Sequence, residues 1–266
     1  MVELWATHGI DLRQDVVVKR FRSSRRGEPQ REWRALRLLA DHAPGLAPAP
    51  LEADLSADPP VVVMSRLAGT PLRGTVVDPE QVRAMARAVS TVHGAVPSRL
   101  LADLPWAATH PAVMVERMRA SPAASTDPLV ATALAAGRRW LARTRLGAAT
   151  DELPPVFGHG DGNLANYLWD GAGVRVVDFE DSGRSDRATE LAEMVEHVSS
   201  WVDSDFDAEA FLDHFDLDVG EAARLRECRR LGAFVWLVIL LRDDPASPRN
   251  PLGTLQRQAH RLLDRL

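Results

Sequence analysis

The sequence predicts an α+β protein: a small β-rich N-terminal part followed by a larger, mostly helical C-terminal part. Short β-branched runs, Asp15 to Phe21 and Pro60 to Met64, fall early in the chain and fit pleated surfaces. From Asp78 onward apolar residues recur at helical spacing. One hairpin signal, Asp170-Gly171 between two alternating segments, interrupts those helices. With 266 residues, 45% hydrophobic and 26% charged, the chain is long enough to bury a sizeable core as one large or two small domains. We expect a boundary near Gly69, dividing 1–69 from 70–266.

Taken in order, the strand Asp15 to Phe21 carries Lys19, the only lysine of the sequence. Every other cation is Arg, and a compact ammonium is not interchangeable with a planar fork, so the retained Lys marks a place where a point charge matters. Pro29 then suits the first turn of a helix running to about His42, with Trp33, Leu36, Leu39 and Ala40 on its apolar stripe. Glu32 shares that face, and a carboxylate at the edge of a buried stripe needs a partner. Lys19 is the expected one, with Glu28 as a weaker competitor. Ala43 to Pro50 is too rich in Pro and Gly for a helix and reads as an extended connector. The strand Pro60 to Met64 leaves through Ser65 to Leu72. A helix from Asp78-Pro79 to His93 has an Asp N-cap and Pro at its first position. Ser98 to Pro128 is loop-rich around a helical piece at Ala112 to Arg119, and Leu129 to Arg145 is helical. Asp181 to Asp186 reads as loop. The remaining expected helices are Glu190 to Trp201, Ala208 to Phe215, Glu221 to Leu241 and Leu252 to Leu266. Ala233 to Leu241 is apolar all round, the mark of a central core helix.

The densest chemistry lies at Phe157-Gly158-His159-Gly160-Asp161-Gly162-Asn163-Leu164-Ala165-Asn166, followed by Val176-Val177-Asp178-Phe179-Glu180. An acid and an amide stand five residues apart on a loop, and a hairpin returns a second acid beside the amide. Transfer of a phosphoryl group needs a carboxylate to orient the attacking hydroxyl and hard oxygen ligands for the metal that bridges the phosphates. His-x-Asp-x-x-x-x-Asn followed by Asp-Phe-x is the kinase spacing. An Asn/Asp/Gly-rich turn would account for the first half alone, but not for the second acid.

In its His-Gly-Asp and Val-Asp-Phe-Glu forms the pair resembles the aminoglycoside phosphotransferase and choline kinase-like family, whose fold is two-lobed and protein-kinase-like. The likeness runs from about Val16 to the C-terminus. It implies Asp161 as the catalytic base or orienting residue, with His159 positioning its loop. It implies Asn166 and Asp178 as Mg²⁺ ligands, Lys19 as the phosphate cation and Glu32 as its brace. Met64 and Arg66, at the exit of the second strand, would lie at a hinge that reads the base of ATP or GTP. Asp186 and Glu190 would brace the loop after Asp178. For the acceptor the candidates are Glu180, Asp181, Asp203 and Asp205, the last two in an acidic cluster that equally suits solvated helix caps. The family places two strands and a phosphate-covering loop before the Lys strand. Here 18 residues precede Lys19, Gly9 is their sole glycine, and Thr7-His8-Gly9 reads as a tight turn between a strand Val2 to Ala6 and the Lys19 strand. The N-terminal lobe is therefore expected to be shortened.

Composition narrows the partners. Net charge is -5 and the pI about 5.9, which recommends neither nucleic acid nor an anionic membrane. A neutral or cationic small molecule bearing a hydroxyl fits better. No apolar run approaches the ~18 residues of a membrane span, the first residues lack a basic, apolar leader pattern, and the single Cys228 has no disulfide partner. The expected location is cytoplasmic, as monomer or homodimer. Two functions follow from the resemblance: an ATP- or GTP-dependent phosphotransferase acting on an aminoglycoside-like antibiotic, amino sugar or related metabolite, or a catalytically silent kinase-like binding protein. A protein kinase is disfavoured, because no Ala-Pro-Glu segment follows Asp178.

Overall fold

The computed structural model describes residues 8–22, 24–148, 153–202, 204–244 and 247–266. The β-branched run condenses into β2, Val16–Arg20, preceded by β1, Gly9–Leu12. The two pair antiparallel in a hairpin that places Ile10 opposite Lys19. The turn into the Lys19 strand therefore falls at Arg13 to Asp15, and Gly9 already belongs to a strand, while Thr7 lies outside the described residues. The expected strand Val2 to Ala6 lies outside the described residues.

Helix α1, Glu28–His42, has Pro29 in its first turn and buries Glu32, Ala35, Leu36 and Leu39. β3, Pro50–Asp54, follows, and then β4, Val61–Ser65. Among the described residues these strands form a four-stranded sheet in the order β1-β2-β4-β3. β3 begins at the last residue of the expected connector Ala43 to Pro50; Pro50 lacks an N–H but stands at the first position of an edge strand, where none is needed.

The chain then makes β5, Thr70–Pro71, and α2, Pro79–Ala95. Asp78 caps α2 by accepting from Glu80 N and Gln81 N while Gln81 answers in a capping box. Val82, Met85, Val89 and Val92 face the core, as their spacing predicts. A short helix α3, Ser98–Leu101, stands where loop was expected, before α4, Pro111–Arg119, and α5, Pro128–Leu141. β6, Pro155–Gly158, leads into the Asp161 loop and a 3-10 turn at Leu164–Asn166. The hairpin β7, Tyr167–Trp169, and β8, Val174–Val176, closes through Asp170, whose carboxylate accepts from Ala172 N and Gly173 N at 2.9 and 2.8 Å. β5 pairs with β7.

The loop expected at Asp181 to Asp186 is in part a strand: β9, Gly183–Asp186, pairs antiparallel with β6. Nothing in its polar sequence advertises this, since the pairing comes from an approaching partner rather than from propensity. α6, Arg187–Glu196, starts at an Asp186 cap and stops five residues before Trp201. It stops because His197 turns to extended backbone and its ring accepts from Ser199 N, opening a 3-10 turn at Val198–Ser200. α7, Ala208–Leu212, α8, Val219–Leu240, and α9, Thr254–Arg265, complete the chain. Val235, Leu237, Val238 and Leu240 of α8 are buried, as expected of a core helix. No helix among the described residues is long and apolar enough to cross a membrane.

Candidate active site

Lys19 is buried at the centre of a carboxylate cluster. Its Nζ lies 3.0 Å from Glu32 Oε2 and 2.7 Å from Glu180 Oε2, and it also donates to Asp178 Oδ1. β2 and α1 bring the Lys19–Glu32 pair together as the sequence anticipates. Burial works against the ammonium, but Asp178, Glu32 and Glu180 more than compensate and hold Lys19 protonated well above its ordinary range. Glu32 is fully buried, and burial pushes its carboxyl up despite Lys19.

Glu180, expected near the acceptor, belongs to this cluster. Its carboxylate also meets His8 Nε2 at 2.9 Å. Burial raises it, yet the His8 hydrogen bond and Lys19 bring it down to about 2. His8 is fixed in turn by Arg22 N–H donating to Nδ1 at 3.1 Å and by Phe21 at 4.7 Å between ring centroids. His8, just before β1, thus reaches the Lys19–Glu180 pair directly, which the reading of a bare turn missed.

The Asp161 loop is built by close approach. Gly160 has φ +78°, and a Cβ there would strike the Asp181 carbonyl; one at Gly162 would strike the Glu193 carbonyl of α6. His159 Nε2 donates to Val177 O at 2.9 Å, its Nδ1 accepts from Asp161 N at 3.3 Å, and the ring packs edge-on against Phe179. His159 therefore braces the loop against the hairpin. Asp161 Oδ2 accepts from Asn166 Nδ2 at 2.9 Å, and its Oδ1 accepts from Asn163 N at 3.0 Å. Burial and the nearby Asp178 raise the Asp161 carboxyl, against an opposing pull from His159.

The hairpin returns as its turn chemistry predicts: Val177 N donates to Asn166 O at 3.0 Å, placing Asp178 next to Asn166. Asp178 adopts φ +68°, a left-handed conformation that Asp tolerates. With the Asn166 amide nitrogen committed to Asp161, its carbonyl oxygen is left for a cation. That oxygen and the Asp178 carboxylate form a hard-oxygen donor set of the kind Mg²⁺ prefers. Glu32, Asp178 and Glu180 also bring carboxylate oxygens within 4.8 Å of one another, but Lys19 already lies among them as the balancing charge.

Asp181 lies across from α1: Arg26 NH1 meets its Oδ1 at 3.0 Å. Burial, with Asp161, Glu180 and Asp178 nearby, pushes Asp181 up to about 7 in spite of Arg26. One residue on, Arg31 NH1 donates to Ser182 O at 2.7 Å and to Trp106 O at 2.8 Å, fastening α1 beside Glu32 to the segment after Asp178. Neither arginine stands out in an Arg-rich sequence. Asp186 caps α6 at Thr189 N and pairs with Arg224 of α8 at 3.0 Å, while Glu190 accepts from Gly160 N at 3.1 Å and braces the Asp161 loop instead of the one after Asp178.

The other expectations are not drawn into this group. Met64 is buried in the core, and Arg66 is exposed, with NH1 donating to Arg13 O and its backbone N to Asp15 O. At the level of side chains, Met64 and Arg66 pack and tie the β4 exit to the β1–β2 turn. Asp205 is exposed and accepts from Val77 N at 3.0 Å, ahead of α2. Asp203 lies outside the described residues.

The fold and this loop-and-hairpin site define a kinase-like phosphotransferase class. A family model described as Phosphotransferase enzyme family matches residues 3–229, and the chain belongs to that family. No curated protein matches the sequence. Among solved structures, choline kinase LicA from Streptococcus pneumoniae superposes with a TM-score of 0.64 at 16% identity, over 97% of this chain and 90% of that one. APH(2")-IIia in its GDP and kanamycin complex gives 0.64 at 14%, over 98% and 93%. Spectinomycin phosphotransferase with ADP and spectinomycin gives 0.59 at 13%, over 97% and 85%. These likenesses establish the two-lobed, kinase-like α+β fold.

Proposed function

We propose that the protein moves the γ-phosphate of ATP or GTP to a hydroxyl of a small molecule, with an aminoglycoside-like antibiotic, amino sugar or related metabolite as acceptor. The observation that carries this reading is the joined pair of Asp161–Asn166 at 2.9 Å and the adjacent Asp178, which also contacts Lys19. Asp161 orients the acceptor hydroxyl and takes its proton as the hydroxyl oxygen bonds to the γ-phosphorus. The bond to the β-phosphate oxygen breaks, and the nucleoside diphosphate leaves. Lys19, braced by Glu32, faces the phosphates. Asn166 and Asp178 would hold Mg²⁺, which when bound neutralises phosphate charge. The surplus of carboxylates around Asp161, with Asp178, Asp181, Glu190 and Glu193 all nearby, favours a cationic or neutral acceptor over an anionic one. Residues 1–69 would form the nucleotide lobe and 70–266 the catalytic lobe. The lone buried Cys228 accords with a cytoplasmic setting.

The test is incubation of purified protein with Mg²⁺-ATP or Mg²⁺-GTP and a panel of aminoglycosides, amino sugars and choline. Product with one of them, abolished by Asp161→Ala, is the expected result. Absence of product across the panel, with no Mg²⁺-nucleotide binding by calorimetry, would overturn it. Nucleotide binding without turnover would favour the silent binding protein.

A further inference from the structure

We infer that His197 is a positioning residue for Asp161, its Nε2–H holding one carboxylate oxygen so that one lone-pair direction is left for the acceptor hydroxyl. The inference rests on the reading of Asp161 as the residue that orients the acceptor. His197 Nε2 lies 3.5 Å from Asp161 Oδ1, and the ring is buried where α6 ends. A carboxylate offers about four acceptor directions. Asn166 Nδ2 occupies one on Oδ2, Asn163 N one on Oδ1, and His197 approaches a third. At 3.5 Å the pair is longer than a formed hydrogen bond, and catalytic contacts of this length commonly tighten in the complex with substrate.

The orientation of the imidazole follows from its other side. Ser199 N donates to Nδ1 at 3.1 Å. Leu164 N donates to Ser199 Oγ at 2.9 Å, and that hydroxyl lies 2.7 Å from Nδ1. With the Ser199 N–H directed at it, we assign Nδ1 as the acceptor, so that the neutral ring carries its proton on Nε2, facing Asp161. Burial and the nearby Arg73 keep the ring neutral by holding its pKa well below the ordinary histidine range. Trp236 packs edge-on at 4.4 Å between centroids and fixes the ring plane. Leu164 lies on the Asp161 loop itself, so Ser199 and His197 close a circuit from that loop through the end of α6 and back to the carboxylate. The helix prediction ran through this position to Trp201. Only the break at His197 aims the ring at the loop.

Two measurements test this on the full chain. First, with an acceptor that is turned over, His197→Ala should lower kcat about 10- to 100-fold, as loss of an orienting partner does, while KM for the nucleotide stays within about 2-fold. His197→Gln, which puts an amide N–H near the former Nε2, should recover most of that loss. Equal kcat for wild type and His197→Ala, or a Gln variant that binds nucleotide normally yet is no better than Ala, would overturn the inference. Second, nitrogen-15 NMR of the wild-type imidazole should show the Nε2–H tautomer, with a resonance that moves in Asp161→Ala. An Nδ1–H tautomer, or a resonance indifferent to Asp161, would overturn it. The second measurement needs no turnover, so a protein without phosphotransferase activity would refute the proposed function and still leave the His197 contact decided.

Discussion

Replacing Lys19 by Met keeps the apolar stem of the side chain and removes the one ammonium among three carboxylates. Glu32 then suffers most: it is fully buried, and among the described residues its Oε2 pairs only with Lys19 and its Oε1 has no hydrogen-bond partner. Breaking a buried pair by deleting one member costs about 3–5 kcal/mol, because the other charge stays behind uncompensated. Against a total stability of about 5–15 kcal/mol for a typical domain, that is a large share. The deficit should depend on pH with a definite sign. In the variant the folded-state pKa of Glu32, already raised by burial, rises further. A raised carboxylate contributes stability below its unfolded pKa and loses it as pH climbs through the folded value, so the variant should be weakest at pH 8 and approach wild type near pH 5. Urea denaturation at both pH values, read by tryptophan fluorescence, measures this. Lys19→Met combined with Glu32→Gln should recover most of the loss, since neither charge is then orphaned. Glu32, Asp178 and Glu180, with oxygens within 4.8 Å of one another, should gain affinity for divalent cations once the ammonium is gone. At a hundred times the dissociation constant, such binding would restore about 2.7 kcal/mol. A Lys19→Met protein as stable as wild type at pH 8, and indifferent to Mg²⁺ or Mn²⁺, would refute the reasoning.

Arg31→Ala removes two charge-assisted hydrogen bonds to Ser182 O and Trp106 O, each worth about 1.5–3 kcal/mol in such settings, and should raise KM for the nucleotide by loosening the helix that carries Glu32. Hydrogen exchange across α1 should quicken; unchanged exchange would show that the clamp is idle. Gly160→Ala forces a Cβ onto the Asp181 carbonyl at φ +78°, and should cost about 1–3 kcal/mol and most of the activity, checked by thermal melting and turnover. Asp181, pushed up to about 7, contributes stability at acidic pH that is lost as pH rises through about 7. Asp181→Asn should therefore match wild type near pH 5 and exceed it at pH 8 in urea midpoint. Adding Mg²⁺ should narrow that gap by lowering the carboxyl's pKa.

Helix and hairpin placement were readable because their causes are local. Asp78-Pro79 caps and opens α2, and the Asp170-Gly171 turn sets the hairpin that returns Asp178 to Asn166. Val82 to Val92 keep a helical stripe whatever they pack against. The shortcomings share a different cause. β3 and β9 have polar, Pro-bearing or Gly-bearing sequences, and each is a strand because a neighbouring strand offers it hydrogen bonds. The turn into the Lys19 strand lies at Arg13 to Asp15, further on than expected, since nothing in so short a stretch weighs one hairpin register against another.

By itself the sequence determined the spacing of Asp161, Asn166 and Asp178, the partnership of the single Lys19 with Glu32, and the division into a β-rich and a helical part. Residue spacing and turn chemistry act over a few positions, and those features need nothing more. The tertiary structure alone decided that Glu180 joins Lys19 and His8, that Asp181 meets Arg26, and that His197 faces Asp161. Each of those contacts joins side chains from separate segments, and whether they meet depends on how sheet and helices settle against one another, which no local pattern encodes.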